Sequence, residues 1–156
     1  MTYRAHAQIY GFRTPVLSSD IEIFPRSSVK QGSSMILSAI WDTGATRTFI
    51  NRHFSEKLDL IPIEFQPVVG ATGSQMAGLV VLAIKLPNGL FIPDKRAFIC
   101  DLPDSVNILI GMDIIQLGDF HISNAGGKTL FSFVVPSLPT PFSLAEEADK
   151  LNSQKS

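Results

Sequence analysis

The sequence predicts a mostly β domain, and three observations carry that prediction. Apolar segments are short, rich in Val, Ile and Phe, and separated by Gly, Pro, Asn or Ser, which is the pattern of short strands joined by turns. Asn88-Gly89 and Asn124-Ala125-Gly126-Gly127 each stand between apolar segments, and such residues adopt the positive φ angles that tight hairpins need. Helical spacing of apolar residues is the exception along the chain.

Strands are expected near Ala5 to Gly11, Ile21 to Phe24, Met35 to Trp41, Glu64 to Val69, Met76 to Leu86, Leu90 to Ile99, Val106 to Ile110 and Lys128 to Val135. One helix is predicted from about Arg52 to Leu60, because Asn51 can cap it and Phe54, Leu58 and Ile61 fall along one face. Pro62 then stops it. A second short helical turn is expected at Asp113 to Leu117, ended by Gly118. From Ser137 the chain becomes Pro-rich and then charged, with Ser143 and Glu146 spaced as a capping box. Residues 1–136 therefore read as one domain and 137–156 as a flexible tail. There is no internal repeat of the kind that marks a solenoid.

At 156 residues and 45% apolar content the chain has material for one core and not for two. Thirteen basic and 14 acidic side chains nearly cancel, so charge points to neither nucleic acid nor an anionic membrane as a partner. Cys100 is the only cysteine, which excludes an internal disulfide and suits a reducing compartment. The first residues lack a signal-peptide pattern, and the longest apolar run, Gly78 to Ile84, is too short to span a bilayer. These features predict a soluble cytoplasmic protein.

The chemistry is concentrated in Ile40-Trp41-Asp42-Thr43-Gly44-Ala45-Thr46, where an apolar strand runs into an acid, a hydroxyl and a glycine. Two readings are open for these residues alone. In one, Asp42 bonds its own backbone in an ordinary turn. In the other, a carboxylate at the tip of a rigid strand pairs with a second carboxylate, and two such groups about 3 Å apart share one proton. The ionised member then activates water and the protonated member donates to a peptide carbonyl. The chain has one such segment, so the second acid would come from two-fold symmetry.

Trp41 to Ala45 is similar to the active-site signature of retroviral-type aspartic peptidases. Val69-Gly70-Ala71-Thr72-Gly73-Ser74 looks like that family's flap, a glycine-rich hairpin tip over the substrate, and Ile108-Leu109-Ile110-Gly111-Met112-Asp113 resembles its second marker, an apolar pair and glycine beneath the active-site loop. The three fall in the family's order between about Met35 and Leu117. The resemblance, closest to cellular and bacterial members, implies a retropepsin-like closed β-barrel with one or two short helices and an active site at a homodimer interface. It further implies an aspartic endopeptidase with Asp42 as the catalytic carboxylate, Thr43 bracing the pair across the dimer and Gly44 admitting the substrate backbone. Ala45, Thr46, Val69, Gly70, Ala71, Thr72, Gly73 and Ile110 would contact an extended, largely apolar protein or peptide substrate. No cofactor and no metal is implied. Ala45 stands where pepsin-like enzymes have serine, which removes a donor to the carboxylate and implies a higher working pH.

One departure stands out. Retroviral enzymes usually have an acid just after the signature, paired with an arginine after the second marker's glycine, and here those positions are Thr46 and Met112. No charge is stranded, but the site must be framed in another way.

Other chemistries fit less well. Gly126-Gly127-Lys128-Thr129 lacks the first glycine of a phosphate loop, since position 122 is Ile122. His6, His53 and His121 lack zinc-helix spacing, and no Gly-x-Ser-x-Gly elbow occurs. Phe24-Pro25 and Pro141-Phe142 raise the expectation of self-processing, because some cleavage sites in the family pair an aromatic with proline. The rival reading is a non-catalytic dimerisation or peptide-binding module that keeps the fold.

Overall fold

The computed structural model describes residues 2–26, 33–70 and 73–154. Among these residues ten strands form in the order β1 Arg4–Ile9, β2 Ser18–Pro25, β3 Met35–Trp41, β4 Phe49–Asn51, β5 Glu64–Gly70, β6 Gly73–Lys85, β7 Phe91–Cys100, β8 Ile108–Ile110, β9 Asp119–Ser123 and β10 Leu130–Val135. Among the described residues α1 Arg52–Lys57, α2 Met112–Ile115 and a 3-10 turn at Ala125–Gly127 lie between strands, and α3 Leu144–Ser153 follows β10.

Seven strands lie in the order β2-β3-β8-β4-β7-β6-β5, and β2 also pairs with β6. That extra pairing closes six strands into a barrel and leaves β5 as a flange hydrogen-bonded to β6 alone. Closure removes the open edges that a short-stranded sheet would otherwise expose. The barrel interior is filled by Ile21, Ile23, Leu37, Ile50, Leu82, Ile84, Ile108 and Ile110, all nearly inaccessible to solvent. β1, β10 and β9 form a separate three-stranded sheet. Its Phe131 and Phe133, with Phe120, pack on Trp41 with ring centroids 5.1–5.8 Å apart.

The mostly β prediction holds, with two strands missed. β4 has only three residues, one parallel partner and one antiparallel partner, so its pairing depends on contacts distant in sequence. β9 mixes Asp119, His121 and Ser123 with Phe120 and Ile122, and no apolar run marks it. The Asn88-Gly89 hairpin forms, but Gly89 N–H donates to the Leu86 carbonyl at 2.9 Å, making Pro87 and Asn88 the central pair. Proline presets φ for the first central position of a type I turn, and Gly89 follows at φ 75°.

α1 begins where predicted, with the Asn51 side chain accepting from His53 N–H at 3.2 Å, but it ends at Lys57 before Pro62 is reached. β8 starts at Ile108 and not at Val106, whose carbonyl instead accepts from the Asn51 amide at 3.0 Å. Beyond the barrel, Ser143 Oγ accepts from Glu146 N–H at 3.3 Å and caps α3, no residue of which is buried.

Candidate active site

β3 delivers Asp42. Trp41, its last residue, is clamped by the aromatic cluster and by Nε1–H donation to Ser19 Oγ at 2.8 Å. Asp42 N–H then donates to the Ile110 carbonyl at 2.9 Å, so the loop is tied to β8 as it leaves the sheet. The Asp42 carboxylate accepts from Gly44 N–H at 2.8 Å through Oδ1. Ala45 N–H donates to the Asp42 carbonyl at 3.2 Å, and the Ala45 carbonyl accepts from Met112 N–H at 2.8 Å. The side chain is therefore aimed by its own loop, and the loop is stitched to the turn that opens α2.

That stitching demands Gly111. A Cβ there would lie 2.3 Å from the Arg47 carbonyl oxygen and 2.9 Å from that of Ala45, closer than backbone atoms tolerate. The same turn carries a buried polar network. Thr48 Oγ1 accepts from Gly111 N–H at 3.3 Å and donates to Asp113 Oδ1 at 2.8 Å. Lys95, from β7, reaches Asp113 Oδ2 at 2.9 Å and also donates to the Asp113 carbonyl at 2.9 Å. The Lys95 and Asp113 side chains are only 16% and 6% exposed, and hydrogen bonds on both carboxylate oxygens are the condition under which a buried ion pair is tolerated. This is how the site is framed without the acid and arginine missing at Thr46 and Met112.

Asp42 is half-buried, while Thr43, Gly44 and Thr46 are exposed and Ala45 is intermediate. Asp42 and Thr43 open into a groove of about 490 Å³ whose other walls are mainly apolar, from Pro15 to Leu17, Ile40, Trp41, Phe120 and Ile122. Val69 and Gly70 end β5 and Gly73 begins β6, with Gly70 opposite Gly73 across the hairpin. Val69 is 81% exposed. Ala71 and Thr72 lie outside the described residues. Ile110, expected against substrate, is fully buried, so what it offers the active-site loop is its carbonyl and not its side chain.

Thr48, Lys95 and Asp113 escaped sequence reasoning. A signal existed in Asp113, an acid directly after an apolar strand and glycine, but its partner Lys95 is distant in sequence and sits among ordinary strand residues. A β-bulge sets its phase: between Leu82 opposite Lys95 and Ile84 opposite Ile92, β7 carries the extra residue, with Asp94 at φ 52°. Bulges commonly re-aim a side chain in this way. Among the described residues, no group of three or more His, Cys, Asp or Glu is placed to hold a metal ion, and no helix is long and apolar enough to cross a membrane.

A closed six-stranded barrel with an Asp-Thr-Gly loop laid over an apolar-apolar-Gly turn defines the retropepsin-like class. The aspartyl protease family pattern matches residues 30–114, more than half of the chain, and the chain belongs to that family. A retropepsin-like aspartic protease from Rickettsia conorii has a similar structure, with a TM-score of 0.58 and 14% identity over 86% of this chain and 96% of that one. The EIAV protease, solved with the inhibitor HBY-793, gives a TM-score of 0.51 and 19% identity over 69% of this chain and 90% of that one. At such identities the likeness is one of fold. No curated protein matches the chain in sequence.

Proposed function

We propose that the chain is an aspartic endopeptidase, active as a homodimer in which each copy supplies Asp42. The observation that carries this reading is that Asp42 stands half-buried toward an open groove at the end of a clamped strand, on a loop tied to β8 and to the start of α2; its bond from Gly44 N–H at 2.8 Å would serve an ordinary turn as well. An acid serving only as a turn residue needs no such support from β8 and α2.

A two-fold axis beside Thr43 brings two Asp42 carboxylates together, and the pair shares one proton. The ionised carboxylate takes a proton from water as the water oxygen attacks the peptide carbonyl carbon. The protonated carboxylate gives its proton to the carbonyl oxygen. The resulting diol collapses as the C–N bond breaks and the amine nitrogen gains a proton, leaving a carboxylic acid and an amine. The apolar walls beside Asp42 and Thr43 support burial against a second copy. Thr43, exposed and without a hydrogen-bond partner among the described residues, is the brace across that axis.

The β5–β6 hairpin acts as the flap, and substrate runs extended beneath it, adding to the free edge of β5. Val69 and Gly70 at its tip favour apolar residues at the scissile bond. Self-processing at Phe24-Pro25 requires opening the barrel, because Phe24 and Pro25 pair with Ala83 and Leu82, whereas Pro141 and Phe142 are exposed. The balanced charge and lone cysteine suit a cytoplasmic enzyme. The alternative, a peptide-binding dimer without hydrolysis, gains nothing from an acid at a symmetry axis, where like charges repel.

Casein digestion at high protein concentration, across acidic to neutral pH, tests the proposal. Wild type yields new peptides and a folded Asp42→Asn yields none. Equal cleavage by both, or none by a wild type shown to be dimeric, refutes it.

A further inference from the structure

The loop that carries Asp42 continues to Arg47, where a second cavity of about 280 Å³ opens between that loop, β5 and β7. Its wall holds three cations, Arg47, Lys95 and Arg96, and two carboxylates, Asp94 and Asp113. Their charges are not equally available. Lys95 is spent on Asp113 at 2.9 Å, and Asp94 is engaged by Arg26 at 3.2 Å. Glu64, on the strand that contributes Gln66 to the wall, keeps its charge while accepting from the Gln66 amide at 2.6 Å, but it does not line the cavity. Arg47 and Arg96 are both exposed and have no carboxylate partner among the described residues.

We infer that this cavity is an outer subsite of the cleft that takes an Asp or Glu side chain of the peptide substrate, with Arg47 the specificity-determining residue and Arg96 its support. The inference rests on the peptidase reading and deepens it. Arg47 follows Asp42 by five residues, and that much chain spans at most about 17 Å. Roughly five residues of extended peptide, at about 3.3 Å each, cover the same distance. Among the described strands β5 pairs only with β6, so its other edge can take the substrate as an added strand. Side chains of an added strand alternate in direction, and those on one side pass Gln66 and enter the cavity. A guanidinium meets a carboxylate with two parallel hydrogen bonds. Specificity then has two parts, apolar at the scissile bond and acidic further out.

The test takes one peptide and scans Glu against Gln through the five positions on each side of the scissile bond, comparing kcat/KM. Wild type favours Glu at one position by about two- to fivefold, the range of an exposed ion pair, and added salt shrinks the preference. Arg47→Gln brings the ratio to about one, and Arg47→Glu makes Lys preferred over Glu. Arg47 is exposed, so neither variant disturbs the core. Equal rates at every position in wild type, or a ratio that survives Arg47→Glu, overturn the inference. Binding of the same labelled peptides to folded Asp42→Asn is followed by fluorescence anisotropy. If wild type cuts nothing yet Asp42→Asn binds the Glu peptide more tightly than the Gln peptide, the peptidase reading falls and the acidic subsite stands. Equal binding together with no cleavage sinks both.

Discussion

At the scale of the residue, the site depends on a few contacts with no slack. Gly111 has none at all, since any side chain there meets the Arg47 carbonyl at 2.3 Å. Gly111→Ala is expected to lower stability by about 3 kcal/mol, the upper range for forced overpacking, and to lower activity further because it displaces the loop that aims Asp42. Urea denaturation checks the first effect, and kcat/KM of the fraction that remains folded checks the second. Lys95 holds Asp113 through its carboxylate and its carbonyl. Lys95→Met leaves the Asp113 carboxylate buried without its cation, which costs roughly 3 kcal/mol. The double variant with Asp113→Leu recovers part of that loss, and a double variant no more stable than Lys95→Met contradicts the account. Asp42 and its glycine were legible in the sequence because their chemistry is compressed into consecutive residues. The Thr48–Asp113–Lys95 frame was not, because its members are brought together only by barrel closure.

At the scale of the element, the three-stranded sheet of β1, β10 and β9 carries a buried histidine that makes its stability depend on pH. His6 of β1 is buried, packs edge-on to Phe131 at 5.4 Å, and its Nε2 has no hydrogen-bond partner among the described residues. Burial holds its pKa below the ordinary 6.5. The folded form therefore resists protonation more than the unfolded form does. The stability that neutral His6 permits is complete above about pH 6.5 and is lost as pH falls from there through the lowered value. A melting-temperature series from pH 7.5 to 5 should slope downward below 6.5 in wild type and less steeply in His6→Phe. Parallel slopes would contradict this. β10 was visible as an apolar run, yet β9 was not, because with Phe120 and Ile122 as its only apolar residues among five its alternation is too short to stand out, and its strand pairing is to β10. β4 was missed for a similar reason: three residues are too few to show a period, and its partners β7 and β8 lie far along the chain.

At the scale of the whole molecule, the proposed mechanism needs two chains, and it assigns the apolar groove beside Asp42 and Thr43 to the contact between them. Thr43→Val keeps the volume and removes the hydroxyl. If Thr43 braces the axis, the dimer dissociation constant from sedimentation rises by about tenfold or more, since two symmetry-related hydrogen bonds are lost at about 1 kcal/mol each. An unchanged constant would remove Thr43 from the interface. The most direct test of the central claim mixes wild type with Asp42→Asn at constant total concentration and follows peptide cleavage. If both copies must supply Asp42, activity follows the square of the wild-type fraction, so an equimolar mixture retains about one quarter. Retention of about one half, a linear dependence, would mean that each chain works with its own Asp42 alone and would contradict the account.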